Sequence, residues 1–275
     1  MSWVCVGHPE PDRHVPVLLH GETDVSRNHA MVSLVPFLVA IRLDGIDPGK
    51  RPWLSIGDVG RVDLRLAREI EAPYRIGLFE TTGCVNRCLP APLLHAHYLK
   101  QRWKLFRDRN PRNIKMVPRD LFCKFVLFTM PRPVVLVGHE RNGRSNLFPM
   151  DLVGEAGSPC FLLGLHRTSP AIPSMIEAGR LSVSGVPLDW KKTVFALGRN
   201  HREATFEDIS PVPEGALTVR EVRIERTVEV GSHVLFITTT ERLERRAEGL
   251  QMCHTHAFYQ GYLKKSGRGL PEAGR

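Results

Sequence analysis

Residues 131–170, PRPVVLVGHERNGRSNLFPMDLVGEAGSPCFLLGLHRTSP, hold three short extended segments separated by turn signals. The first, residues 134–137, contains only Val and Leu and leads to a polar turn with Asn142-Gly143. Asn-Gly favours a type I′ hairpin turn, because both residues accept a positive φ. Residues 145–150 and 160–165 then supply a second and a third strand. Short strands with turns between them predict a β-barrel and disfavour a parallel sheet.

The third segment ends in the polar cluster His166-Arg167-Thr168-Ser169-Pro170. Ser169 followed by Pro170 is typical of a helix N-cap and first helical position, so we expect a helix over residues 170–179. A helix start offers free N–H groups, and Arg167, Thr168 and Ser169 add a cation and two hydroxyls. Together these groups favour a phosphate ligand. The alternative is a loop that only caps the helix.

The order of these motifs along the chain carries a family resemblance. PRPVVLV, NGRSNLFPM and LHRTSP are followed much later by Gly231-Ser232-His233-Val-Leu-Phe-Ile. Over roughly residues 115–262 this order resembles the flavin reductase-like, FMN-binding split-barrel family. The resemblance implies a flavin-dependent oxidoreductase that binds FMN and uses NAD(P)H as hydride donor.

The resemblance also implies site residues. The segment along the isoalloxazine ring would then contain Asn146, Pro149, Met150 and Asp151. The loop around the FMN phosphate would contain His166, Arg167, Thr168 and Ser169. His233 is implied as the catalytic candidate near the nicotinamide, although Ser232 stands where the family has Asp. The alternative for His233 is a packed strand residue. No acid–base residue is required, because the flavin itself carries out the hydride chemistry.

Partners follow from the same resemblance. It implies a homodimer with FMN at the subunit interface, and FAD, haem or a deazaflavin are alternative occupants of such a barrel. No Gly-x-Gly-x-x-Gly stands between a strand and a helix in the sequence, which disfavours a Rossmann nucleotide fold.

The region before the barrel is expected to be largely helical. We predict a helix near residues 64–70 and an amphipathic helix from Pro92 to about residue 107, ended by Asn110-Pro111. Its apolar side chains recur at helical spacing and are expected to face the core: Ala96, Leu99, Trp103 and Phe106. The fold prediction is therefore mainly β with α (α+β). It comprises a split β-barrel over 115–265 and a disordered tail over 266–275. Residues 1–114 form either a helical N-terminal extension or a small α/β accessory domain.

A faint internal repeat joins the two regions. Val15-Pro16-Val17-Leu18-Leu19-His20-Gly21 parallels residues 132–138, and Pro36-Phe37-Leu38-Val39-Ala40 parallels residues 159–163. One explanation is a degenerate copy of the same β-unit that lacks the phosphate loop. Chance similarity of two strand–turn–strand patterns is the other, and the sequence leaves both open.

The net charge of +9 favours anionic partners. Much of the excess lies between Lys100 and Arg119, which raises nucleic acid as a partner. Because the aromatic residues of this stretch are expected to face the core, we favour flavin and nicotinamide nucleotides. A second class of function is a non-enzymatic flavin-binding or interaction module whose basic N-terminal helix docks an acidic partner.

Neither a membrane nor a metal is expected. The longest apolar run, residues 31–41, falls short of the roughly 20 residues that a bilayer requires, and the N-terminus lacks a signal-peptide pattern. The protein is thus predicted to be cytoplasmic, with its six cysteines reduced. Cys253-His254-Thr255-His256 offers metal-ligand types, but successive residues of a strand face opposite sides.

Overall fold

The computed structural model describes residues 3–10, 15–71, 73–109, 114–141, 143–200 and 210–273. Within these ranges the chain forms two seven-stranded sheets, one three-stranded sheet and five α-helices. The predicted fold class, mainly β with α, is confirmed.

The first large sheet follows strand β1 (Trp3–His8). Its strands are β2 (Val17–Leu19), β3 (Thr23–Asp24), β4 (His29–Leu34), β5 (Phe37–Arg42), β6 (Trp53–Ile56), β7 (Gly60–Ile70) and β8 (Ile76–Asn86). Their spatial order is β3-β2-β6-β7-β8-β5-β4, and all neighbours are antiparallel. Helices α1 (Ala91–Arg107) and α2 (Pro118–Leu127) come next. We call this sheet with α2 the first unit.

The second large sheet follows the short strand β9 (Arg132–Pro133). Its elements in chain order are β10 (Val135–Arg141), β11 (Arg144–Met150), β12 (Val153–Glu155), β13 (Cys160–His166), α3 (Ala171–Ala178), β14 (Arg180–Gly185), α4 (Lys191–Asn200), β15 (Thr218–Val230) and β16 (His233–Arg245). The spatial order is β11-β10-β14-β15-β16-β13-β12. We call it the second unit. Strand β17 (Gln251–His256) and helix α5 (Ala257–Lys265) complete the chain.

Each large sheet curls until its edge strands approach each other. Strands β11 and β12 are opposite edges of the second sheet, yet only Asp151 and Leu152 separate them. Such a link spans about 11 Å at most, whereas seven flat strands spaced about 4.8 Å apart extend over nearly three times that distance. The sheet therefore closes towards a barrel, as the split-barrel prediction requires.

The two units repeat one topology. The order of strands β10 to β16 in the second sheet is the order of β2 to β8 in the first, with every strand number raised by eight. The long hairpins β7–β8 and β15–β16 also each have two register shifts, at the same spacing along the strand. In β7–β8 they lie at Asp63/Leu64 and Leu66/Arg68. In β15–β16 they lie at Glu221/Val222 and Ile224/Arg226. Of the two explanations for the faint sequence repeat, the structure supports a copied β-unit.

The units pack through an apolar seam in which strand β4 lies against β12, β13 and β16. One hydrophobic cluster joins side chains of both sheets, including Val32, Ala40 and Leu78 from the first and Leu162, Leu235 and Ile237 from the second. Its members are almost fully buried. Because this core is shared, the two sheets form one continuous body.

The expected helical character of the N-terminal region is wrong. Residues 64–70, predicted as a helix, lie in the 11-residue strand β7. Their helix-favouring residues Leu66, Ala67, Arg68 and Glu69 are overridden by pairing with β8, since tertiary context outweighs local propensity. The apolar/charged alternation of residues 61–66 was the better guide to a half-buried strand.

Helix α1 forms as predicted, but a different face contacts the core, and that face is only partly buried. Leu99, Trp103 and Phe106 are 65%, 57% and 89% exposed. The residues that pack on the first-unit core are Tyr98 and Leu105. Helical spacing shows which apolar residues share a face of the helix, but it does not show which face contacts the core. No helix in the described ranges has both the length and the apolarity needed to cross a bilayer.

Two predicted boundaries also shift. Helix α2 packs into the first-unit core through Leu121 and Phe125, so that core continues past residue 114. The tail predicted to be disordered is held at Ala273, whose N–H donates to Cys5 O at 3.1 Å. The predicted turn at Asn142-Gly143 joins β10 to β11, although Asn142 lies outside the described residues.

The two phenylalanines Phe125 and Phe106 provide a matched test of these packing assignments. Phe125 is 2% exposed in the first-unit core, so Phe125→Ala should lower the free energy of unfolding by about 3–5 kcal/mol. Phe106→Ala on the exposed stripe should change it by no more than about 0.5 kcal/mol. Urea denaturation measures both. Equal losses would mean that α1 buries its aromatic stripe after all.

Candidate functional site

The loop predicted to bind a phosphate, residues 166–169, connects the end of β13 to helix α3. We refer to it as the phosphate loop after this prediction. The Ser169 N–H donates to His166 O at 2.8 Å, and the Arg167 N–H donates to Ser232 O at 3.1 Å. Helix α3 begins at Ala171, one residue later than predicted, with Pro170 as its N-cap. Ser169 Oγ still accepts from the Ala171 N–H, at 3.4 Å. The side chains of Arg167 and Thr168 are exposed, and the Thr168 hydroxyl lies 2.7 Å from His166 Nδ1.

Behind the phosphate loop lies a histidine pair. The rings of His166 and His233 have centroids 5.5 Å apart in an edge-on arrangement. His233 is 3% exposed, and its Nδ1 lies 2.8 Å from Ser232 Oγ. Burial, reinforced by His166, lowers the pKa of His233 to about 4. His233 is therefore neutral at pH 7 and holds the loop in place by packing and hydrogen bonding.

The four residues predicted along the flavin ring have different surroundings. Met150 is 7% exposed and belongs to the core of the second unit. Pro149 lies against helix α4 at Gly198. Asn146 is opposite His139 in the β10–β11 ladder, and its buried Oδ1 has no hydrogen-bond partner within the described ranges. Asp151 lines a cavity, whereas Met150 lies in the core. The four residues therefore do not form one continuous surface.

Asp151 forms a partly buried ionic cluster with two residues that were not predicted from the sequence as part of the site. Its Oδ2 lies 3.0 Å from Arg132 NH1 and 3.1 Å from His254 Nδ1. Burial would raise the pKa of Asp151, but the Arg132 charge and the His254 hydrogen bond hold it well below its usual range. Burial would likewise lower the pKa of His254, yet the hydrogen bond to Asp151 raises it to about 9. At neutral pH the cluster carries two cations and one anion.

The ionic cluster forms part of the wall of a cavity of about 560 Å³. This volume is within the range of roughly 300–1,000 Å³ that is usual for small-molecule sites. Its aromatic and charged lining residues are Trp3, Phe128, Phe195, Lys124, Arg132, Lys191, His254, Asp151 and Glu272. We call it the cationic cavity, because cations outnumber carboxylates along its wall.

Lys124 adds to the positive charge of the cationic cavity. Its Nζ lies over the rings of Trp3 and Phe128, 5.5 and 5.6 Å from their centroids. No carboxylate in the described part of the chain forms an ion pair with it. Burial, with help from Arg132, lowers the pKa of Lys124 to about 8. The ammonium group is thus still protonated at neutral pH, and an anionic ligand would complete its surroundings.

The phosphate loop and the cationic cavity are neighbours across the seam. Leu34 of the first unit lines the cavity, and the next residue, Val35, donates its N–H to Ser232 Oγ at 3.1 Å. On the other side, the Gly164 N–H of β13 donates to Leu152 O at 2.8 Å. The phosphate loop and the cationic cavity are thus connected through hydrogen bonds of the seam.

The cavity could not be found from the sequence because its walls come from seven separate parts of the chain. A weaker signal was present. Lys124 and Arg132 are the two cations in the otherwise apolar stretch 121–137, and a charge placed in a buried segment needs a partner or a function. Arg132 is 5% exposed, and its Nε has no hydrogen-bond partner among the described residues.

A metal site is not formed by the candidate ligands. Within the described ranges no three His, Cys, Asp or Glu side chains come together in a way that could hold a metal ion. His254 contacts Asp151, whereas His256 packs among aromatic rings, 4.4 Å from Phe258. The six cysteines are free thiols, as predicted.

Two sets of groups near the seam could hold parts of an anionic, planar cofactor. A phosphate would find the Arg167 and Thr168 side chains within one short loop. A planar ring system would find aromatic walls and excess positive charge in the cationic cavity.

Comparison with known proteins gives similarity at the level of the backbone. No protein-family model matches the chain, and no curated protein matches it. Among solved structures, the chain is similar to an FMN-binding protein from Thermus thermophilus with bound p-hydroxybenzaldehyde, at 22% identity and a TM-score of 0.41. That match covers 46% of this chain and 87% of the other.

Two further matches are of the same kind. A Flavoredoxin from Methanosarcina acetivorans is 18% identical with a TM-score of 0.38, covering 42% of this chain and 69% of the other. The Streptomyces globisporus C-1027 NADH:FAD oxidoreductase SgcE6 is 16% identical with a TM-score of 0.43, covering 52% and 94%. Each of the three matches covers about half of this chain.

The raised pKa of His254 makes a prediction for stability. A histidine whose pKa rises from about 6.5 when unfolded to about 9 when folded stabilises the fold fully below pH 6.5 and loses that contribution as pH rises through 9. His254→Gln should therefore reduce the loss of unfolding free energy between pH 6 and pH 9.5 by about 1–3 kcal/mol. Urea denaturation at the two pH values measures it.

The control for this experiment is His95→Gln, which changes an exposed histidine on α1. Lys124 titrates in the same window with the opposite sign, so the wild-type curve alone is not diagnostic. A pH dependence that is identical in His254→Gln and wild type would show that His254 is not protonated in the folded protein.

Proposed function

We propose that this protein is a flavin-dependent oxidoreductase that binds FMN and takes hydride from NAD(P)H. The observation that supports this most strongly is the adjacency of the phosphate loop and the cationic cavity across the seam. The motif order that resembles the flavin reductase-like family is independent support from the sequence. FAD is an alternative flavin, since the loop is open to solvent at Arg167 and Thr168.

Arg167, Thr168 and Ser169 would hold the phosphate. Arg167 supplies a charged donor, and Thr168 and Ser169 supply hydroxyls. The Ala171 and Ile172 N–H groups at the start of α3 already donate to Ser169. His166 orients Thr168, because its Nδ1 lies 2.7 Å from Thr168 Oγ1. The phosphate would thereby be fixed at one end of the site while the ring is directed towards the seam.

The ring would lie towards the cationic cavity, with Asp151 as a polar contact. FMN supplies the hydride chemistry when bound, and the protein orients it and tunes its electronics. Arg132, Lys124 and protonated His254 create a positive field that favours added negative charge on a cofactor. Trp3, Phe128 and Phe195 keep water from much of the wall.

The nicotinamide side of the site is assigned to the surroundings of Ser232 and His233. Ser232 is tied to the first unit, because its N–H donates to Val35 O at 2.7 Å. His233 is neutral and buried, so its role would be to position the loop and not to transfer a proton. Ser232 in place of the family's Asp removes a negative charge from the place where an anionic nucleotide would approach.

A non-enzymatic interaction module is the second candidate, and helix α1 favours it. The exposed stripe Leu99, Trp103 and Phe106 is accompanied by basic residues, and α1 contains no Asp or Glu. An acidic partner with an apolar groove would match this face. Such a module would bind flavin without oxidising NAD(P)H.

Arg167→Ala tests the phosphate assignment. Loss of a charged hydrogen bond should weaken FMN binding by about 1–3 kcal/mol, as measured by quenching of FMN fluorescence in a titration. The matched control is Arg65→Ala, which removes an exposed arginine that pairs with Glu80 in the first sheet. Equal FMN affinity in wild type and Arg167→Ala would remove the phosphate loop from the site.

A further inference from the structure

The first unit repeats the second but lacks the parts that would hold a cofactor. In the second unit, helix α3 follows β13 and helix α4 separates β14 from β15. In the first unit, residues 43–52 connect β5 to β6 without a helix, and residues 57–59 connect β6 to β7 directly. The position that corresponds to the phosphate loop is therefore a plain turn.

The residues at that turn make contacts that stabilise the fold. Leu43, the first residue after β5, is fully buried in the first-unit core. Arg42 directs its NH1 to Gly157 O of the second unit at 2.8 Å, and its Nε to Asp44. A cation that stands near the expected phosphate position thus binds backbone oxygen across the seam.

The first unit nevertheless contributes directly to the surroundings of the phosphate loop. Val35 exchanges two hydrogen bonds with Ser232: the Ser232 N–H donates to Val35 O, and the Val35 N–H donates to Ser232 Oγ. Ser33 Oγ lies 3.5 Å from Ser232 Oγ. Ser232 in turn accepts the Arg167 N–H and contacts His233. Residues 33–35 therefore position the loop from outside its own sheet.

From this arrangement we propose that one chain contains a complete pair of units with a single cofactor site, in which the first unit has become the supporting partner. The flavin in this statement rests on the proposed function. Residues 33–35 would act as positioning residues for the phosphate loop, and the first unit would bind no flavin. The homodimer implied by the family resemblance would then not be required to build the site.

The stoichiometry and concentration dependence of FMN binding test this proposal. Titration of the full-length protein, monitored by FMN fluorescence, should give one FMN per chain, with an affinity that stays constant over about a hundredfold range of protein concentration. Light scattering in parallel records the mass, for which a single chain corresponds to 31.0 kDa.

Three results would overturn the single-chain site. These are two FMN per chain, one FMN per two chains, or an affinity that rises with protein concentration, since each means that a site lies elsewhere or needs a second chain. A folded protein with the mass of one chain that binds no FMN would instead reject the proposed function. The pairing of the two units within one chain would still hold in that case.

The contribution of the first unit has its own test. A Cβ at Gly164 would lie 2.4 Å from Val32 O, so Gly164→Ala must move the sheets apart at the seam. We expect FMN binding to weaken by tenfold or more. Gly261→Ala, where an added Cβ meets open space, should leave it unchanged.

If Gly164→Ala does not fold, Ser33→Ala gives a milder change. It removes the hydroxyl near Ser232 and should weaken FMN binding by about two- to tenfold, the range for a neutral hydrogen bond. FMN affinity equal to wild type in every variant that folds would remove the first unit from the site.

Discussion

Two glycines, Gly164 and Gly231, allow the backbones of the two sheets to touch, and the rest of the arrangement depends on that contact. An added Cβ at either position would lie within 2.4 Å of a carbonyl oxygen of the first unit. Because the strands approach this closely, the Ser232 N–H reaches Val35 O. The seam thus fixes both the relative position of the sheets and the place where β13 ends in a polar loop.

The electrostatics of the neighbouring cavity follow from the same closure. Arg132 and Lys124 lie in a segment that is apolar enough to be buried, and their charges are stabilised in two ways. Asp151 pairs with Arg132 at 3.0 Å, and aromatic rings face both cations, with the Arg132 guanidinium 3.4 Å from the centroid of Phe128. Since these contacts leave excess positive charge, the cavity is suited to an anionic or electron-rich ligand.

Much of the second unit was predictable from the sequence, because its strands are short, rich in β-branched residues and separated by turn residues. The first unit was harder to predict. Residues 64–70 favour a helix in isolation and become a strand only by pairing with β8. Helix α1 was evident from the sequence, but the face that contacts the core was not. Tyr98 and Leu105 contact the core in place of Trp103 and Phe106.

The candidate site was likewise predictable only in part. Residues 166–169 are contiguous and could be found as a motif, and the structure keeps them together in one loop. The cationic cavity could not be found that way, because Trp3, Lys124, Asp151 and His254 are far apart in sequence. In the segment predicted to lie along the flavin ring, residues 146–151, the alternation of side chains along β11 places Met150 in the core.

The visible spectrum of the purified protein tests the central claim most directly, recorded first with FMN and then with NADH or NADPH. The account predicts that the flavin bands change on binding and then bleach when the nicotinamide nucleotide is added. Bands that change without bleaching would contradict the proposed reaction and favour a flavin-binding module. A spectrum identical to that of free FMN would mean that the seam holds no flavin.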